Sequence, residues 1–99
     1  QEMEVSTGAN ISFTDTVSAG NIAITNNITT TGILTLTSGT NGSVTIATGI
    51  TASGATITFN TPSLTLTGNG AVIASASDVN ILSNGASNAL AVTLGSTGQ

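Results

Sequence analysis

Ninety-nine residues that include no lysine, arginine, histidine or cysteine, and four acidic side chains that set the formal charge at −4, leave few chemistries open. Without cations the chain cannot neutralise phosphates or be drawn to anionic lipid, so neither nucleic acid nor membrane is an expected partner. Without cysteine there is no disulfide, no thiolate nucleophile and no thiolate metal site, and without cations no side-chain ion pair, so the fold has to rest on burial and backbone hydrogen bonds.

Period-two alternation of apolar and polar residues runs from one end to the other and predicts strands. In chain order these are ISF (11–13), NIAIT (21–25), ILTLT (33–37), SVTIA (43–47), ATITF (55–59), SLTLT (63–67), DVNI (78–81) and LAVTL (90–94). Ile, Leu, Val and Thr dominate them, and the β-branched Ile, Val and Thr suit a pleated surface better than a helix. Residues 1–8 are expected to be an extended N-terminal segment. The only stretch compatible with a helical turn is NGASNALAV, near 84–92. Between the strands lie SAGN, SGTNG, ASG, NTPS, TGNG, SNGASN and GSTG, all turn chemistry.

Two architectures share this rhythm. LTLTSGTNGSVTIA and SLTLTGNGAVIA can be drawn as hairpins of an antiparallel β-sandwich of pilus-subunit or Ig-like type. Alternatively, each turn is the corner of a parallel β-solenoid with coils of about 20–23 residues. An internal echo favours the solenoid: NIAITNNITTTG (21–32) aligns with SVTIATGITASG (43–54) at an offset of 22. On that alignment Ile22, Ile24 and Ile28 stack inward on Val44, Ile46 and Ile50, and Gly32 turns a corner above Gly54. The alignment then slips, placing Leu34 and Leu36 on Ile57 and Phe59, and Leu64 and Leu66 after Val44 and Ile46. Slips at corners are what a solenoid tolerates. Phe13 and Phe59 are the only aromatic residues, and an aliphatic alphabet fits a narrow stacked interior better than the roughly 10 Å gap between sandwich sheets. The expected fold is all-β, a right-handed parallel β-helix formed by residues 1–99 as one domain or as a fragment of a longer repeat array.

The segment GNIAITNNITTTGILTLTSG (20–39) resembles the repeat region of filamentous haemagglutinin-like adhesins, large exoproteins of two-partner secretion, and 40–67 follow the same pattern more loosely. The resemblance implies a β-helix exported to the cell surface, with roles in adhesion or biofilm. Localisation outside the cell after removal of a targeting segment is the matching expectation.

Chemistry is sparse. A Ser or Thr nucleophile needs a base, and the available groups are Asp15 in FTDTV, Asp78 in SASDVN and the terminal pair Glu2 and Glu4. Each aspartate reads as a turn-capping or solvated carboxylate, and no enzyme is expected. Asp15 and Asp78 are also the candidate ligands for calcium, but neither an EF-hand loop nor a Gly-Gly-x-Gly-x-Asp repeat is present, so no cofactor is expected. Asn10, Asn27 and Asn41 head formal glycosylation sequons that this composition produces by chance. Thr-x-Thr pairs recur, and Thr35, Thr37, Thr56, Thr58, Thr65 and Thr67 are the candidates for an outward threonine face. Three roles follow: a structural protein that forms or extends a surface fibre as a homo-oligomer or homopolymer, an adhesin segment that binds a glycan or matrix ligand, and an ice-binding threonine array.

Overall fold

In the computed structural model, which describes residues 5–7, 10–68, 70–83 and 91–94, every strand pairing is parallel. The strands are β1 (Val5–Thr7), β2 (Ile11–Thr14), β3 (Ile22–Ile24), β4 (Ile28–Thr30), β5 (Ile33–Thr37), β6 (Val44–Ile46), β7 (Thr51–Gly54), β8 (Thr56–Asn60), β9 (Ser63–Leu66), β10 (Val72–Ser75), β11 (Val79–Leu82) and β12 (Ala91–Leu94). They form three four-stranded sheets, β1-β4-β7-β10, β2-β5-β8-β11 and β3-β6-β9-β12, here called faces A, B and C. Each coil contributes one strand to each face. This is a parallel β-solenoid, and the hairpins of the sandwich alternative do not form: β5 and β6 lie on different faces, as do β9 and β10.

Hydrophobic columns run up the interior. On face B, Ile11, Leu34, Ile57 and Val79 stack in register, as do Phe13, Leu36, Phe59 and Ile81. On face C, Ile22, Val44, Leu64 and Val92 form one column, and Ile24, Ile46 and Leu66 another. The middle coils are driest: Leu34, Leu36, Val44, Ile46, Ile57 and Phe59 are fully buried. Period-two alternation along each strand places these residues inward and the intervening Thr, Ser and Asn outward.

The echo between 21–32 and 43–54 spans more than one side of a coil. It covers β3, a corner and β4, against β6, a corner and β7. Its first half behaves as expected, with Ile22 on Val44 and Ile24 on Ile46. The second half does not. Ile28 lies on Ala52 rather than Ile50, because two extra residues enter between Ile46 and Ala52. Ile50 is instead a half-buried corner residue whose carbonyl accepts from Val72 N. Gly32 does not sit above Gly54: its carbonyl accepts from Ala55 N, and Gly54 lies in register with Ser75. The A–B corner is residues 31–32 in one coil and Ala55 alone in the next, which shifts the alignment by one. The largest variation is at the B–C corner, which runs 15–21, 38–43 and 61–62 in successive coils. Corners absorb length changes there while the stacked strands keep their register.

Asparagines bracket neighbouring coils. Asn10 Oδ1 accepts from Ile33 N, Asn21 Oδ1 from Ser43 N and Asn27 Oδ1 from Thr51 N, each at 2.9 Å. Each is the residue just before a strand, and its amide oxygen extends the inter-strand ladder by one bond. Replacing Asn27 with Ala should cost about 1 kcal/mol, the net value of one such bond. Asn27→Asp keeps the acceptor and should cost less, and chemical denaturation followed by circular dichroism compares the two.

At the B–C corner two polar side chains are buried. Ser38 Oγ lies 2.7 Å from Thr61 Oγ1, which donates to Ser63 O at 2.9 Å. Both hydroxyls are therefore satisfied inside the corner, which is why they are tolerated in an otherwise aliphatic interior. Among the described residues, no helix is long and apolar enough to cross a membrane.

Candidate functional surface

The outward side of face B carries two largely polar columns. Ser12, Thr35, Thr58 and Asn80 form one column across its four strands, and Thr14, Thr37, Asn60 and Leu82 form the next. Thr56 lies beside Ile33 in a third. Neighbouring residues in a column are one strand spacing apart, about 4.8 Å, and columns are two residues apart along the strand, about 6.6 Å. Within this lattice Asn60 Nδ2 donates to Thr37 Oγ1 at 3.3 Å. Ile33 and Leu82, 46% and 53% exposed, make the surface amphipathic rather than purely polar.

The six predicted threonines are therefore divided. Thr35, Thr37, Thr56 and Thr58 share face B, whereas Thr65 belongs to face C, in register with Thr45, and Thr67 follows the end of the same strand. A Thr-x-Thr pair reveals that two side chains share a side of one strand; which strands share a sheet depends on the coil register, which the pairs do not encode.

The two candidate calcium ligands lie at opposite ends of the stack. Asp15 follows β2 at one edge of face B, and Asp78 precedes β11 at the other. Two strands separate these edges, so the carboxylates cannot share an ion. Asp15 Oδ1 accepts from Val17 N at 2.9 Å, and its carboxylate packs on Gly20, which makes it the organiser of the 15–20 turn. Asp78 has an exposed side chain, and its carbonyl accepts from Ser75 Oγ and Ile57 N. Among the described residues no three His, Cys, Asp or Glu side chains group to hold a metal. Glu2 and Glu4, and residues 84–90 of the expected helical turn, lie outside the described residues.

A concavity of about 430 Å³ opens beside β2, β3 and the start of β4, lined by Phe13, Ile22, Ile24 and Ile28 together with Asp15 and Asn21. Its lining is as polar as it is apolar, with Ser12, Thr14 and Thr16 beside the apolar side chains, and the one carboxylate is already engaged with backbone. A second recess, of about 310 Å³, follows the A–B corner along Thr30, Ser53, Gly54 and Ser75. The asparagine brackets have only a weak signal in the sequence, the dipeptide Asn-Ile, which marks all three (10–11, 21–22, 27–28) but recurs at 80–81 inside β11.

No protein-family model, curated protein or solved structure matches the chain.

Proposed function

We propose that the protein is a non-enzymatic structural element of the cell exterior, one that builds or extends a surface fibre by stacking β-coils. The observation behind this reading is the contrast within single columns. Ile57 and Leu64 are buried, yet Val79 and Val92, which continue the same columns in the last coil, are 43% and 46% exposed. A solenoid gains burial and backbone bonds from each added coil, and its terminal strand edges are templates for more. Negative-stain electron microscopy of the purified chain should show filaments, with a diffraction repeat near 4.8 Å along the axis. A field of discrete globules would overturn the reading.

The in-register threonines of face B support a second reading, an ice-binding surface. Thr58 sits within its lattice, between Thr35 and Asn80. On this reading the protein shows thermal hysteresis, and Thr58→Tyr abolishes it while leaving the circular dichroism spectrum unchanged. Hysteresis that is absent from the parent, or retained by the variant, counts against it.

A further inference from the structure

The two ends of the solenoid differ in a way that specifies how copies would meet. We infer that the partner at each end is a second copy of this chain, stacked head to tail in continuous register, with β11 of one copy beside β2 of the next. The inference rests on the fibre reading and adds its contact and register.

Three features support it. First, the three sheets all run in one direction through the stack, β1, β2 and β3 at one end and β10, β11 and β12 at the other. Among the described residues, the edge at one end therefore has the polarity that the opposite edge pairs with, and a simple screw operation repeats the coil step. Second, inward-column apolar side chains stand at both ends. The last coil presents Val79 and Val92, inward-column side chains left partly exposed, and the first coil presents Ile11, Phe13 and Ile22, half-buried members of the inward columns at the other end. Continued register sets Val79 on Ile11, Ile81 on Phe13 and Val92 on Ile22 of the next copy, the same pairing of aliphatic and aromatic residues seen between inner coils. Third, the charges do not oppose. The column that begins with Asn10 passes through Ile33 and Thr56 to Asp78, so an added copy brings Asp78 against an asparagine amide. The column that begins with Asp15 passes Ser38 and Thr61 to Ser83, so Asp15 meets a serine. Although the chain is acidic, neither described carboxylate faces another across the joint.

The native absence of cysteine makes the register directly testable. Ser12 and Asn80 are exposed and end the same outward column. Within one copy they are three strand spacings apart, about 14 Å, too far for a disulfide. Across the joint they would be one spacing apart, about 4.8 Å, inside the Cα window for a disulfide. The double variant Ser12→Cys/Asn80→Cys, oxidised under filament-forming conditions, should give a ladder of covalent multimers on a non-reducing gel that collapses to monomer with reductant. Thr14→Cys/Leu82→Cys, the ends of the adjacent column, should do the same and serves if the first pair perturbs folding. The mismatched pair Thr14→Cys/Asn80→Cys would hold its sulfurs' Cα atoms about 8 Å apart across the joint and should give no ladder. Filaments without a ladder from either matched pair overturn this register while leaving the fibre reading intact; globules without a ladder overturn both. A ladder of equal strength from the mismatched pair also overturns it, because that would report random collision.

Discussion

Phe59→Ala is expected to destabilise the fold by about 3–5 kcal/mol, the usual cost of emptying a buried aromatic site. Phe59 is the largest of the fully buried side chains. It stands third in the column Phe13–Leu36–Phe59–Ile81, so both neighbours in the column are themselves held by strand pairing. A parallel ladder has little freedom to close the void, because moving β8 inward would break register with β5 on one side and β11 on the other. Against a total stability of about 5–15 kcal/mol for a small domain, the loss is a large share. Two comparisons isolate the cause. Phe59→Leu keeps most of the volume and should cost less than about 1.5 kcal/mol. Phe13→Ala removes the same ring from the half-buried end of the column and should cost less than Phe59→Ala. With no tryptophan or tyrosine in the chain, far-ultraviolet circular dichroism in a urea titration is the suitable measurement. A Phe59→Ala loss below about 1 kcal/mol would mean that the interior relaxes as a fluid would, against the close packing of protein cores.

Faces B and C were legible in the sequence, and face A was not. The eight strands predicted from alternation correspond to β2, β3, β5, β6, β8, β9, β11 and β12, which make up those two faces in full. Their inward positions are large and apolar: Leu34 and Leu36, Val44 and Ile46, Ile57 and Phe59, Leu64 and Leu66. Face A alternates too, but with side chains that give no hydropathy signal. In β4 the inward pair is Ile28 and Thr30, in β7 Ala52 and Gly54, in β10 Ile73 and Ser75. Small residues there are a consequence of geometry. Gly54 packs so closely that an added methyl would lie 3.3 Å from Gly32 O and 3.4 Å from Leu34 Cβ, so a large side chain on this face would collide with the corner leading to face B. Thr30 can point inward because its hydroxyl is used, accepting from Gly32 N at 3.0 Å. The same logic explains the half-correct echo. A single offset of 22 holds along face C between β3 and β6, and fails where corner lengths differ, since the strand pattern carries no record of how many residues a corner spends. The threonines of face B were visible as pairs and became a lattice only once register placed β5 beside β8.

Gly42→Ala and Gly39→Ala are expected to weaken the fold by about 1–3 kcal/mol each, the usual cost of added volume in a packed region. The B–C corners of the first two coils lie directly on one another. Gly39 N donates to Gly20 O at 3.0 Å, Asn41 N to Ser18 O at 2.7 Å, and Asn41 Nδ2 to Ser18 Oγ at 2.7 Å. A methyl group at Gly39 would overlap the Val17 carbonyl oxygen, and one at Gly42 would overlap the Gly20 carbonyl oxygen. The obstacle in both cases is backbone, which no rotamer change can clear, so the corner has to lift and give up those bonds. Gly49 supplies the internal control for space: an added methyl there meets nothing within 4 Å, although its φ of 76° charges a separate conformational cost. If loss of corner stacking is the mechanism, Gly42→Ala should raise hydrogen exchange at the Gly39 and Asn41 amides far more than at Leu36, which lies in the strand before the corner. Uniform acceleration at all three would instead report global unfolding. Unchanged exchange at Gly39 and Asn41 would show that the two corners are not in the contact described.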